Sequence, residues 1–329
     1  MKLAILGGGA WGTALAIAFS AGHQVSLWAR DAKHAAEMAA TRYNRRYLPQ
    51  VAIPDSVQIE SRFVTALAQA ELIIVATPTA ALRDTVQRIS GKSPARGLIW
   101  VCKGLEADSA KMPHQVVAEA LGPAMPHGAL SGPSFALEVA RGLPTALTLA
   151  STDRFFGQSA ARQLHSPRLR LYSSTDIAGV EVGGAVKNVL AIAAGISDGL
   201  EFGNNARAAL ITRGLAEMTR LGRKLGGRTE TFMGLTGVGD LMLTATSDLS
   251  RNRRVGLMLA EGESLERILL KLGHVAEGVT TVPEVVRLAA HFEVPMPITQ
   301  AVYRVLCQGV KPRKAVEELL SRGPTQESD

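Results

Sequence analysis

Cysteine is scarce. Among 329 residues only Cys102 and Cys307 occur, far apart and in no CxxC pairing. Two isolated thiols read as buried side chains in a reducing compartment. The seven histidines also stand alone, so no His/Cys grouping has the spacing of a metal site and no metal is expected. Charge is sparse, a fifth of all residues, whereas nearly half are hydrophobic. Such a balance can bury a sizeable core and lies far from a disordered composition. No apolar stretch reads as long and uninterrupted enough to span a membrane, and there is no internal repeat or low-complexity tract. The first twenty-two residues imitate a secretory leader until Gly7-Gly8-Gly9 breaks the apolar run at its centre. A cytoplasmic protein is expected. The net charge of +7 suits an anionic small molecule. The same excess would serve nucleic acid or a membrane surface, but its arginines are scattered, and neither partner is expected.

What is present has a clear order. Residues 2–6 read as a short apolar strand and 24–29 as the next strand, and 71–76 and 97–101 are apolar runs of the kind that parallel strands buried on both faces require. Residues 10–21 and 79–90 between them have helical character. Runs at 128–131, 145–150 and 168–172 extend the sheet or turn it antiparallel. After about Asp176 the pattern becomes helical, over 179–197, 206–225, 251–261, 265–272, 281–291 and 298–308. The expected fold is therefore an α/β Rossmann-type doubly wound sheet over residues 1–178, followed by an all-α domain over 179–329. The polar end, 323–329, reads as frayed.

Gly7-Gly8-Gly9-Ala10-Trp11-Gly12 fits GxGxxG between a strand and a helix. The first glycine permits the tight turn, the second lets backbone approach a pyrophosphate, and the third lets helix pack on strand. Free N–H groups and the helix dipole then favour the phosphates. At the end of the second strand an acidic residue suits the 2′-hydroxyl of NAD, whereas arginine accommodates the 2′-phosphate of NADP. The sequence offers both, Arg30 and Asp31. Arg30 follows the strand directly, and Asp31 is better explained as the N-cap of the next helix. The expected cofactor is NADP (NADPH), with NAD as a second choice.

Candidate chemistry lies further on. Lys103 stands at the carboxyl edge of an apolar strand, where such sheets bind ligands; a solvated surface charge explains it equally well. The segment 131–136, which includes Gly132 and Ser134, follows another strand and offers amides and a hydroxyl, or is a plain turn. Lys187 sits in a helix of small apolar residues with Gly183, Gly184, Ala191 and Ala194 beside it at helical spacing. A lysine on such a face reaches bulk water only by snorkelling. If it stays buried, its pKa falls, and it becomes an acid/base group. Asp240 follows a glycine-rich turn. Ser250, Arg251 and Asn252 open a basic helix terminus suited to a phosphate, or simply a solvated helix end.

Together GGGAWGTALA, VCKGLE, SGPSFA, GGAVKN, LTGVGDL, SRNRR and HVAEG, in this order from Gly7 to Gly278, resemble the bacterial-type NAD(P)-dependent sn-glycerol-3-phosphate dehydrogenase family. The resemblance implies interconversion of dihydroxyacetone phosphate and sn-glycerol 3-phosphate for glycerophospholipid synthesis. It implies Lys187 as the proton-transfer group, with Lys103 and Asp240 at the reacting end. Gly132 and Ser134 would contact substrate, and Ser250, Arg251 and Asn252 would grip its phosphate. Ala10, Trp11, Arg30, Lys103, Ala136, Arg251, Val275 and Glu277 would line the cofactor. Ala10 stands where some relatives carry Ser, so only a backbone contact is expected there. Two other readings stay open: a 3-hydroxyacid dehydrogenase of similar build, and a non-catalytic protein that senses NADP. A homodimer is expected on symmetry grounds alone.

Overall fold

The computed structural model describes residues 1–91, 93–122, 125–273 and 276–321. Val275 and the segment 323–329 lie outside them. The first part of the chain runs β1 (Lys2–Leu6), α1 (Ala10–Phe19), β2 (Gln24–Trp28), α2 (Ala32–Thr41), β3 (Tyr43–Asn44), β4 (Leu48–Ala52), β5 (Val57–Glu60) and α3 (Phe63–Leu67). It continues through β6 (Leu72–Val75), α4 (Leu82–Ile89), β7 (Leu98–Trp100), α5 (Pro113–Leu121), β8 (His127–Ser131), α6 (Ala136–Ala140), β9 (Thr145–Ala150), α7 (Arg154–Leu164) and β10 (Leu169–Ser174).

Eight strands form one sheet in the order β10-β9-β8-β7-β6-β1-β2-β5, and β3 pairs with β4 in a separate hairpin. Every pairing in the large sheet is parallel except β8 with β9. The apolar runs are continuous because both faces are covered. Leu3 and Ile5 of β1 enter one core with Leu72 and Ile74 of β6. Ala4 and Leu6 enter the opposite core with Ile73 and Val75. The apparent leader is thus strand, turn and helix. Strand order reverses between β1 and β6, which opens a crevice at the carboxyl ends of those strands.

The rest is helical: α8 (Ile177–Gly199), α9 (Gly203–Lys224), α10 (Thr229–Phe232), α11 (Asp240–Thr246), α12 (Arg251–Ala260), α13 (Leu265–Leu272), α14 (Glu277–His291), α15 (Pro297–Gln308) and α16 (Pro312–Leu320). α8 is central and packs against α9, α11, α12, α14 and α15. Its crossing with α12 is backbone on backbone. A Cβ on Gly195 would lie 2.0 Å from Arg253 O, and one on Gly256 would lie 2.1 Å from Ile192 O.

Two expectations need correction. α8 is long and apolar enough to cross a membrane, although nearly all of it is buried inside the protein. Two of its charged residues, Glu181 and Lys187, interrupt the run in sequence but are themselves buried. Nor are both thiols buried: Cys102 is half-buried and Cys307 is exposed. The inward face of α15 carries Ile298, Thr299, Val302 and Val305, and position 307 falls off that stripe.

Candidate active site

The glycine turn is shaped by close approach. Gly7 has φ +134°, and a Cβ there would lie 2.5 Å from Ala76 O; a Cβ on Gly12 would lie 2.0 Å from Gly7 O. Around Gly9, by contrast, a Cβ would meet nothing within 4 Å. Gly9 is also the N-cap of α1 and has no side chain to cap it, so the first-turn amides keep their capacity for an anion. An open, donor-rich face at this point fits a dinucleotide pyrophosphate. Trp11 and Ala136 pack against one small cluster beside the turn, formed by Ala14, Leu48, Val139 and Ala140. Arg30 is exposed just past β2. Asp31 caps α2, accepting from the amides of Lys33 at 2.9 Å and His34 at 3.3 Å, as its position suggested.

The carboxyl edges of β7 and β8 meet α8 and α11 in one charged cluster. Lys103 Nζ donates to Asp240 Oδ2 at 2.7 Å and to Gly132 O at 2.9 Å. Lys187 Nζ donates to Asp240 Oδ1 at 2.6 Å and to Thr244 Oγ1 at 2.8 Å. One carboxylate, 1% exposed, therefore bridges two ammonium groups. Lys187 does not snorkel; only 8% of its side chain is exposed. Burial lowers its pKa to about 8, with Lys103 acting in the same direction and Asp240 opposing. Small residues bring the walls this close: a Cβ on Gly183 would lie 2.3 Å from Thr236 O, and one on Gly184 would lie 3.1 Å from Ser131 Oγ. β7 is keyed to α8 as well, since Glu181 accepts from Trp100 Nε1 at 3.0 Å and from His114 N at 2.8 Å.

The other predicted residues border this cluster. Ser134 Oγ donates to Gly132 O at 3.0 Å. Glu277, at the start of α14, accepts from Thr79 N at 3.2 Å and Thr79 Oγ1 at 2.7 Å. Burial raises its pKa, opposed by those bonds and by Arg251. At the start of α12 the side chains are partly committed. Ser250 Oγ caps its own helix through Arg253 N at 3.2 Å. Asn252 Nδ2 donates to Asn188 Oδ1 at 2.9 Å, and Asn252 Oδ1 accepts from Gly278 N at 3.0 Å. Arg251 remains exposed. Arg253, in the same basic run, is a structural residue whose Nη2 lies 2.7 Å from Asp198 and Nη1 2.6 Å from Asp248. Among the described residues no cluster of His, Cys, Asp or Glu has the makings of a metal site.

Three residues in the site were not singled out from sequence. Thr244 lies one helical turn after Asp240 and donates to Asp240 O while accepting from Lys187; the i, i+4 spacing was the available signal. Asn188, next to Lys187, holds Lys103 O at 3.0 Å. Thr79 follows β6 at the ligand-binding edge of the sheet.

Models of the NAD-dependent glycerol-3-phosphate dehydrogenase N-terminus and C-terminus match residues 2–156 and 176–317. The chain belongs to the NAD-dependent glycerol-3-phosphate dehydrogenase family. A glycerol-3-phosphate dehydrogenase [NAD(P)+] from Aromatoleum aromaticum is 58% identical over 99% of this chain and 100% of its own. One from Nitrosomonas europaea is 56% identical over the full length of both. The crystal structure of glycerol-3-phosphate dehydrogenase from Coxiella burnetii superposes with a TM-score of 0.94 at 43% identity, covering 98% of this chain and 99% of the other. In this dehydrogenase family member, then, the Rossmann-like sheet carries the glycine turn, and Lys103, Lys187 and Asp240 meet where sheet and helices join.

Proposed function

We propose that this protein interconverts dihydroxyacetone phosphate and sn-glycerol 3-phosphate with NADPH or NADH, and that residues 1–178 serve the cofactor and 179–329 the substrate. The observation that carries the reading is the buried Lys103–Asp240–Lys187 bridge at the carboxyl edge of the same sheet that carries the glycine turn. The turn residues Gly7, Gly9, Ala10, Trp11 and Gly12, with Arg30, Lys103, Ala136, Arg251 and Glu277, would hold the dinucleotide, which supplies or takes up the hydride when bound. Arg30 inclines the preference to NADPH. Val275, lying outside the described residues, is carried on the family resemblance alone.

The chain's own part is proton transfer and positioning. In reduction, Lys187 gives its proton to the ketone oxygen as that oxygen gains charge, and Lys103 adds positive charge beside it. In oxidation, Lys187 in its neutral form takes the hydroxyl proton back. Asp240 holds both ammonium groups in place, with Thr244 fixing the second donor direction of Lys187. Gly132 and Ser134 border the reacting end. Arg251 and the first-turn amides of α12, near Ser250 and Asn252, bind the remote phosphate and so orient the ketone. The setting this implies is the cytoplasm, at the start of glycerophospholipid synthesis, with a homodimer proposed on symmetry grounds only.

The test is the absorbance of NADPH followed with dihydroxyacetone phosphate. Rapid, phosphate-dependent oxidation is expected. Turnover of a 3-keto acid in its place would sink the reading, and absence of any turnover would return the NADP-sensing alternative.

A further inference from the structure

The β3–β4 hairpin takes no part in the chemistry above, yet it is fastened to the glycine turn. Asn44 Nδ2 donates to Gly8 O at 3.0 Å and to Thr13 Oγ1 at 2.8 Å, while Asn44 Oδ1 accepts from Tyr47 N at 3.1 Å. At the hairpin base Arg42 donates to the carbonyls of Ile53, Pro54 and Val57. Asn44 is fully buried, so this attachment is part of the fold.

The hairpin tip carries two exposed arginines, Arg45 and Arg46. They are not equivalent. The Arg46 guanidinium lies over the Tyr47 ring, 5.1 Å from its centroid. That ring meets His34 of α2 edge-on, with centroids 5.5 Å apart. The stack leans Arg46 toward the first turn of α2, beside the end of β2, where Arg30 stands. Arg46 is close enough to Asp31 for its charge to help hold that carboxylate below its ordinary range, after the larger effects of the His34 and Lys33 amides.

Asp31 is already committed to capping α2 and is a poor acceptor for a ribose hydroxyl. Around it stand Arg30, Lys33 and Arg46. Among the described residues neither Arg30 nor Arg46 has a carboxylate within ion-pair distance. Such an excess of positive charge with one occupied carboxylate is suited to a dianion and not to a neutral diol.

We infer that Arg46 is a second reader of the cofactor's 2′-phosphate, meeting it from the hairpin while Arg30 meets it from the end of β2, and that the pair sets the preference for NADPH over NADH. This rests on the reading that the glycine turn holds a nicotinamide dinucleotide. It assigns the hairpin a purpose: anchored by Asn44 to the turn itself, it brings a cation from a separate element to the far end of the same ligand.

The test is equilibrium binding to the full-length protein, by quenching of protein fluorescence, with NADPH, NADH and 2′-AMP as probes. Arg46→Ala should raise the Kd for NADPH about tenfold, as loss of one charge-assisted contact implies. The Kd for NADH should stay within about twofold of wild type, and 2′-AMP binding should be lost. Arg46→Lys should recover part of the NADPH affinity, and Arg45→Ala should leave all three probes unchanged. Equal weakening of NADPH and NADH would mean that Arg46 only supports the hairpin, and unchanged NADPH binding would mean that it is a solvated charge; either overturns the proposal. Failure of the wild-type protein to bind either dinucleotide would instead remove the reading beneath it.

Discussion

Lys187→Ala should lower kcat by about 10²–10⁴-fold, the range expected for loss of a positioned acid/base group. The Kd for NADPH should change little, because Lys187 lies on α8 and not on the glycine turn. Lys187 is almost wholly buried, points its ammonium at Asp240 and Thr244, and is poised by burial at a pKa of about 8. It is therefore mostly protonated at neutral pH, as a proton donor must be, and loses its proton within the working range. Ketone reduction should decline as pH rises through about 8, and alcohol oxidation should increase over the same interval. Lys187→Arg should not restore turnover, since a guanidinium does not give up its proton. Single-turnover rates beside cofactor binding would check this, and near-normal turnover in Lys187→Ala would remove the residue from proton transfer.

Asp240→Asn should be nearly as damaging and should also change the pH behaviour. The carboxylate separates two ammonium groups at 2.7 and 2.6 Å in a buried setting. Without its charge, Lys103 and Lys187 face each other uncompensated. Breaking one side of a buried ion pair costs roughly 3–5 kcal/mol. Asp240 supports the protonated form of Lys187, so its loss should drive the lysine pKa below about 8 and move the falling limb of reduction toward acid. A lysine with a depressed native pKa binds fewer protons folded than unfolded, so the variant should regain stability as pH rises. Melting temperatures across pH 7 to 9 would show this; a pH profile matching wild type would contradict the role given to Asp240.

Much of the fold was legible because its physics is local. β6 and β7 are apolar at every position and β1 at every position after Lys2, as strands covered on both faces must be, and the glycine turn follows β1 at once. The hairpin was not legible, since Leu48–Ala52 exposes three of its five residues and gives no period. α8 was placed within two residues at each end, but it did not read as one long apolar span, because Glu181 and Lys187 look like interruptions until their partners are known, and those partners are 67 and 53 residues away. α16 was missed because its buried face consists of Ala315 alone. The site was legible as a set of residues but not as a geometry. Sequence named Lys103, Lys187 and Asp240, but that one carboxylate bridges both lysines depends on tertiary contacts. At the start of α12, sequence could not tell that the Ser250 and Asn252 side chains also bond within the protein. The neighbouring arginines look alike in sequence, yet Arg251 is exposed and Arg253 is bound to Asp198.

The central position of α8 also constrains how the protein is made. Its last residue is Gly199, but the helices that cover it end as late as Gln308. During synthesis at about 5–20 residues per second, this apolar helix would wait on the order of 5–20 seconds for its neighbours to emerge. In that interval it has the length and hydropathy of a membrane-inserting segment, and its buried Lys187 lacks its partners Asp240 and Thr244 from α11. A nascent chain should therefore engage a chaperone at this stage, and a chain ending at Lys224 should aggregate where one ending at Leu320 stays in solution. Sedimentation of the two translation products would test this; a freely soluble short product would show that α8 finds cover within the first 224 residues.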